Sequence, residues 1–335
     1  MRQLSMNSPG LISVIIPFFN ASAYLENCLE ALRRSEHRGY ELILVDDGST
    51  DSSLETARRF AGRILMFPSP RGPAFARNRG AEVAKGEILF FIDADVYCHP
   101  QTLVQVSAAF TADADLAAVI GSYDDAPPAA NFLSRYKNLT HHYVHQNSSP
   151  EASTFWTGCG AIKREIFLKL GGFDESYRTP SIEDIELGYR LRAKGYRIAL
   201  CKQLVVKHAK RWTLASLLRS DILDRAIPWT VLQLTYGGIV NDLNVSRPQR
   251  AASAFTCLAL LLCTLGFWNQ WFLVGAVIGL LPVIGWNHKL YRFYYEHGGT
   301  RFCLRAVAMH WLYYIYSTIA FGAGCLKYLA RRQKP

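Results

Sequence analysis

Up to about residue 208 the hydrophobic positions form short continuous runs separated by stretches of helical period. The run LISVIIPFFN, rich in Ile and Val and stopping at Pro17 and Asn20, predicts a buried parallel strand ending in a loop. ASAYLENCLEALRRS places Tyr24, Leu25, Cys28, Leu29 and Leu32 on one helical face. YELILVDDGST is a second strand that breaks at Asp46-Asp47-Gly48, and Ser49-Thr50-Asp51 is expected to cap the next helix, SSLETARRFAG. RILMFP reads as a third strand, PAFARNRGAEVAKG as a helix closed by Gly86, and EILFFIDADVY as a fourth strand. This alternation predicts an α/β fold with a mostly parallel sheet covered by helices.

Beyond residue 100 the pattern loosens. QTLVQVSAAFTAD reads as a helix, DLAAVIGSY as a strand, and Asp124–Ser153 as a long irregular excursion near the site. FWTGCGAIKREIFLKLGGFDES is a glycine-rich turn and a helix stopped at Gly171-Gly172. SIEDIELGYRLRAKGYRIAL is a helix capped by Ser181 and ended by Gly195, followed by a strand to His208. From Trp212 to Tyr236, Leu214, Leu217, Leu218, Ile222 and Leu223 share one face, while Arg219, Asp221, Asp224 and Arg225 take the other. Such a segment either packs on a domain or lies at a bilayer surface.

AASAFTCLALLLCTLGFW and WFLVGAVIGLLPVIGW then read as an apolar hairpin with Trp at both rims. A third run, AVAMHWLYYIYSTIAFGAGCLKYLA, follows a basic, aromatic linker. The expected organisation is a catalytic domain over 1–211, an interfacial helix and linker over 212–250, and a membrane region of two or three helices over 251–335. No signal peptide opens the sequence, so the N-terminal domain is expected on the cytoplasmic face of the cell inner membrane. Three full spans would then leave KYLARRQKP outside, against the positive-inside rule; either the third run is not a simple span or the rule is broken.

Charge sharpens this division. The chain of 335 residues is 50% hydrophobic and carries +10, and from Ala251 onward three Lys and five Arg against one Glu supply +7 of it. Basic charge concentrated in the apolar third fits a membrane segment with basic flanks and argues against nucleic-acid binding. The eight cysteines form no C-x-x-C pair, as expected of free structural thiols in a reducing compartment.

The candidate chemistry lies at the strand ends: Asn20, then Asp46 and Asp47, then Asp93 and Asp95. In sheets of this kind ligands sit beyond the carboxyl ends of the strands. A single acidic strand end is a turn or a helix cap; three that converge suggest a site. No G-x-G-x-x-G follows the first strand, which disfavours a Rossmann dehydrogenase. SVIIPFFN, ELILVDDGSTDSS, GPAFARNRGAEVAKGEILFFIDAD, GCGAIKREIFLKLGGFDES and SIEDIELGYRLRAKGYRI resemble, in order, the blocks of family 2 glycosyltransferases with the GT-A fold. The resemblance covers residues 11–212.

Glycosyl transfer from a nucleotide sugar releases a diphosphate, whose developing charge Mg²⁺ or Mn²⁺ held by carboxylates can neutralise. Carboxylates at i and i+2 of a strand end can both face the crevice. The resemblance implies that Asp95 is a metal ligand and that Asp93 lies beside the ribose and donor sugar. It further implies that Asp46 reads the base with Asp47 behind it, and that Arg77 sits near the diphosphate or base. Pro17, Phe19, Asn20 and Ala94 complete the donor side. It makes Asp184 the base that deprotonates the acceptor, with Glu183 its neighbour; alternatively both merely complement a helix dipole. A carboxylate base without an enzymic nucleophile implies single displacement and inversion.

His208 is either structural or a further metal ligand, and Arg211 could steady the departing diphosphate. Polymerising members of the family carry Q-x-x-R-W where this chain reads HAKRW, which weakens a processive polysaccharide synthase reading. On the acceptor side the resemblance points to Trp156, Gly158 and Trp212, although Trp156 could equally be a core residue. The expected partners are a nucleotide-sugar donor, a lipid-linked or glycan acceptor and a membrane, with no nucleic acid. A catalytically inactive scaffold is disfavoured because every acidic position is intact.

Overall fold

In the computed structural model, which describes residues 10–238 and 246–332, the first apolar run is β1 (Ile12–Phe18), buried along its whole length. It lies inside an eight-stranded sheet with β2 (Tyr40–Asp46), β3 (Arg63–Met66), β4 (Ile88–Phe91), β5 (Val96–Cys98), β6 (Leu116–Tyr123), β7 (Gly160–Lys163) and β8 (Arg197–His208). The order is β3-β2-β1-β4-β7-β6-β8-β5. The β3-β2-β1-β4 half is parallel throughout, as is β6 with β8, whereas β7 runs antiparallel to β4 and β6, and β5 antiparallel to β8.

Alternation along β1 sends Ile12, Val14, Ile16 and Phe18 to one face and Ile15 to the other. On the first face they meet α1 (Leu25–Arg33) through Leu25, Cys28, Leu29 and Leu32, together with α2 (Ser53–Arg58) and α4 (Thr102–Ala112). On the second lie α3 (Pro73–Val83), α6 (Arg164–Lys169) and α7 (Glu183–Ala193). These elements form one compact unit, residues 10–130 and 149–211.

EILFFIDADVY is not one strand. β4 ends at Phe91, a turn closed by Val96 N donating to Asp93 O (3.0 Å) follows, and β5 pairs with the end of β8. Residues 92–95 span at most about 14 Å, so the β6–β8 ladder has to curl back toward the end of β4. Register shifts between Leu116 and Ala118 and between Ile120 and Ser122 accompany that curl. The curl sets Val96 opposite His208. One expected cap differs: Ile182, not Ser181, precedes α7, where the Ser181 N–H donates to Glu183 Oε2 (2.9 Å). Ser52 precedes α2, and Asp51 Oδ1 accepts the N–H of its first residue, Ser53 (3.0 Å).

The second unit comprises 131–148 and 212–332 among the described residues. Its first element corrects the reading of 124–153 as irregular: α5 (Phe132–Asn147) is a 16-residue helix. It packs Tyr136 and Leu139 in a cluster with Trp212, Leu217, Leu290, Tyr294, Phe302 and Ala306. The segment after Trp212 is helical from α8 (Leu214–Arg219) through a π-helical turn (Ser220–Ala226) to α9 (Ile227–Thr235). Its register departs from a 3.6-residue period, and Asp221, expected on the polar face, is buried between Lys137 Nζ (2.5 Å) and the Tyr316 hydroxyl (2.7 Å).

α10 (Arg247–Leu265) and α11 (Trp271–Arg332) are long and apolar enough to cross a membrane, and their exposed residues include Leu260, Trp268, Val277, Ile278 and Ile319. α11 is two helices meeting at Gly299 (φ +68°). They fold back antiparallel: Trp311 Nε1 donates to Tyr291 Oη (3.0 Å) and Tyr314 Oη to Asn287 Oδ1 (3.2 Å). The last apolar run therefore lies within the second of these helices, which follows Gly299.

Candidate active site

In the strand order, β1 stands between β2 on one side and β4 on the other, so the chain direction of the crossovers reverses there. The carboxyl ends of these three strands border a crevice of the kind that binds ligands in open α/β sheets. On the β1 side, Pro17 is buried, while Phe19 is half exposed. Asn20, at φ +48°, accepts from the backbone N–H groups of Thr50 (2.8 Å) and Asp51 (3.3 Å). That contact fixes the loop after β2. Asp46 accepts from the Ser49 N–H (2.9 Å).

Asp47 points elsewhere. It is buried and accepts from the N–H groups of Arg71 (2.9 Å) and Gly72 (2.8 Å), so it anchors the loop leading into α3. Burial pushes its carboxyl up, against the two amides that lower it. Gly72 sits at φ +102° with the Arg178 carbonyl 2.5 Å from where a Cβ would stand, so only glycine fits this approach.

α3 then delivers Arg77, which is 4% exposed. Its Nη2 donates to Asp93 Oδ1 (2.7 Å) and its Nη1 to Glu183 Oε1 (2.8 Å). Burial alone would lower the guanidinium pKa, but the two carboxylates outweigh it and raise it, so Arg77 stays cationic. One buried cation thus ties the end of β4 to the first residue of α7. Glu183 is buried, whereas Asp184 beside it is half buried. Asp184 Oδ2 accepts from the backbone N–H (3.1 Å) and hydroxyl (3.2 Å) of Thr157, and Oδ1 accepts from the Ile185 N–H (2.8 Å).

Ala94 is buried in the turn, and Asp95 on its far side faces His208, with Oδ2 3.8 Å from Nε2. Tyr123 stacks on the His208 ring (centroids 4.3 Å, 6°) and takes Trp156 edge-on (4.8 Å, 79°). Burial first, then the neighbouring Asp93 charge, pushes Asp95 up to about 6, while Lys210 pulls it down. No group of three or more His, Cys, Asp or Glu side chains suited to a metal occurs among the described residues. Asp95 and His208 nevertheless fit as a pair. Two ligands of one ion at about 2.1 Å lie no more than about 4.2 Å apart, and a site of this type draws its remaining ligands from substrate phosphates and water.

Of the residues expected at the site, Arg77 joins Asp93 to Glu183, which Asp184 follows in α7; Asp95, on the same turn as Asp93, faces His208, and Asp46 ends β2 beside β1. Trp156 is half buried, and Gly158 lies beneath its indole, where a Cβ would come within 2.4 Å of the ring. Arg211 is exposed. Trp212 belongs to the helical unit and is 6% exposed, with its N–H donating to Ser134 Oγ (2.8 Å); little of its ring is left to receive a sugar. Sequence reasoning missed Thr157, Tyr123 and Lys210. Thr157 sits inside the FWTGCG turn, but only the fold reveals its contact with Asp184. All eight cysteines are free, and burial pushes the Cys98 thiol up to about 12.

The family model for glycosyl transferase family 2 matches residues 13–171, and that for the N-terminal domain of galactosyltransferase matches 137–211. Validoxylamine A glucosyltransferase of Streptomyces hygroscopicus subsp. jinggangensis is 30% identical over 227 residues, covering 58% of this chain and 54% of that protein. The O-antigen chain rhamnosyltransferase RfbN of Salmonella typhimurium is 24% identical over 242 residues, 68% of this chain and 76% of that one. The chain spans about half the length of the first of these relatives. Among solved structures, the mannosyltransferase PcManGT from Pyrobaculum calidifontis, in complex with GDP-Man and Mn²⁺, has a similar fold. Its TM-score is 0.57 at 21% identity, over 98% of this chain and 89% of that one. Residues 13–171 are thus similar to glycosyl transferase family 2, and the likeness to the solved structure is one of fold, an α/β domain of GT-A type followed by helices.

Proposed function

We propose that the chain is an inverting glycosyltransferase that moves a sugar from a nucleotide-sugar donor, a UDP-sugar by preference, to an acceptor at the cytoplasmic face of the inner membrane. The acceptor is a polyprenyl phosphate, a glycolipid or an envelope-glycan precursor. The observation that carries the reading is the linkage Asp93–Arg77–Glu183, which sets the donor carboxylates and the α7 carboxylates at one end of the sheet. In this reading residues 1–211 hold the catalytic site, apart from α5, and the helices from 212 onward hold the enzyme at the bilayer, supported by the apolar exposure of α10 and α11.

Asp46 recognises the base, with Asn20 and Asp47 shaping the loops around it, and Asp93 holds ribose or sugar hydroxyls. Asp95 and His208 hold Mg²⁺ or Mn²⁺, which supplies counter-charge to the departing diphosphate. Arg211 lies on the same stretch and adds positive charge there. The acceptor oxygen forms its bond to the anomeric carbon on the face opposite the diphosphate. The bond to the diphosphate breaks as Asp184 takes the acceptor proton, and the configuration inverts. Trp156 gives the acceptor sugar an aromatic edge.

A hydroxyl acceptor needs that base; a phosphate monoester, whose second pKa is about 6, does not. Turnover of UDP-, GDP- and dTDP-sugars by the purified protein in detergent, read as nucleotide diphosphate release with and without Mn²⁺, selects the donor. Asp95→Ala is expected to abolish release. Asp184→Asn is expected to abolish transfer to hydroxyls while leaving the protein folded; full activity toward hydroxyls would sink the base assignment.

A further inference from the structure

We infer that Thr157 is the positioning residue for Asp184, and that two glycines create the room it needs. This rests on the reading of Asp184 as the base. A carboxylate at the start of a helix can rotate about two side-chain bonds, and a base is effective only when its free lone pair is aimed at the acceptor. Here both oxygens are engaged: Oδ2 takes the backbone N–H and the hydroxyl of Thr157, and Oδ1 takes the Ile185 N–H. The partner of Oδ1 is part of its own helix, whereas Thr157 holds the carboxylate from outside α7.

Thr157 reaches Asp184 because the chain at 154–157 lies against α7 backbone to backbone. At Gly188, one turn beyond Asp184, a Cβ would stand 2.2 Å from Phe155 N and 2.6 Å from the Thr154 carbonyl carbon. No side chain other than hydrogen fits between them. Gly158 lets the chain turn under the Trp156 indole directly after Thr157. Thr157 is 3% exposed, so its hydroxyl does not trade Asp184 for water. Asp184 follows Glu183 in α7 and interacts electrostatically with the guanidinium of Arg77, which Glu183 already engages. The hydroxyl of Thr157 is thus a neutral donor whose removal leaves the charge of the site unchanged.

The same three residues therefore serve both sides of the acceptor. Trp156 offers the ring, Thr157 aims the base, and Gly158 sets the spacing between them.

The test compares Thr157→Val, Thr157→Ser and Asp184→Asn with the full chain in detergent, using the donor selected above, Mn²⁺ and a hydroxyl acceptor. Thr157→Val is expected to lower kcat about tenfold or more with the KM for donor and the binding of UDP with Mn²⁺ unchanged. Removing a donor to the carboxylate also moves the acid limb of its pH–rate profile upward by about one unit. Thr157→Ser, which keeps the hydroxyl, is expected to restore both. Equal kcat and an unshifted acid limb in Thr157→Val, with Asp184→Asn inactive, would overturn the inference and leave the base assignment standing. An active Asp184→Asn would overturn the base assignment itself. A drop in kcat matched by lost UDP–Mn²⁺ binding would show a merely structural role and also overturn it.

Discussion

Asp95 is half buried beside a second carboxylate, and its ionisation opposes folding. Its pKa of about 6 in the folded chain lies above the ordinary value of 3.8. The sign follows: the contribution is fully present below the ordinary pKa and is lost as pH rises through about 6. The cost of the charged form is at most about 3 kcal/mol. The metal-free protein is therefore expected to melt at lower temperature at pH 7.5 than at pH 5, and Mn²⁺ to raise the melting temperature more at pH 7.5. Differential scanning fluorimetry in detergent reads both, and Asp95→Asn should flatten the dependence. Arg77 is the opposite case, a buried cation neutralised on two sides. Arg77→Ala strands the buried Glu183 without its countercharge, a loss of about 3–5 kcal/mol, and Arg77→Lys should recover only part because an ammonium lacks the fork that reaches both carboxylates. Thermal melting of the two variants checks the order.

At the scale of elements, the approach of α7 to residues 154–157 depends on a single hydrogen. Gly188→Ala puts a methyl against Phe155 N, so α7 has to move, and about 1–3 kcal/mol of stability is expected to go with it. Melting temperature and turnover should fall together, whereas Ala at exposed Gly195 should change only the strain of its φ of +79° and leave turnover unaffected. The sequence made the parallel strands and their acidic ends legible because β1 and β4 are buried throughout and the runs are rich in Ile, Leu, Val and Phe. It did not reveal the split between β4 and β5, since a turn through Asp93-Ala94-Asp95 has the same composition as a strand end. α5 was hidden differently: its apolar positions Phe132, Tyr136, Leu139 and Tyr143 are diluted by three histidines, two Asn and one Ser. The burial of Asp221 was illegible because a π-helical turn rotates residues off the face that a 3.6-residue period assigns.

For the whole molecule, the boundary after Arg211 that the sequence suggests does not isolate the first unit, because α5 departs from it in mid-chain. A chain ending at Arg211 would keep α5 but lose Trp212, Leu217, Leu290, Tyr294 and Phe302, among which Tyr136 and Leu139 are buried. Such a truncation is expected to aggregate. Changing Leu133, Tyr136 and Leu139 to polar residues should render it soluble, and size-exclusion chromatography distinguishes the outcomes. The acidic residues at the strand ends and at the start of α7 were readable from their positions next to apolar runs; the contact of Thr157 with Asp184 and the close approach at Gly188 were not, because they join parts distant in sequence.

The excursion of α5 also has a consequence during synthesis. Its apolar face is made by residue 147, yet the Phe302 and Ala306 that share its cluster come only after some 160 further residues. At 5–20 residues per second, that is a wait of roughly 10–30 s, through which a growing chain carries an uncovered helix. Biogenesis of this protein therefore sets a timing problem: the strands on either side of α5 can pair while the helix between them still needs a membrane or a chaperone to shield it.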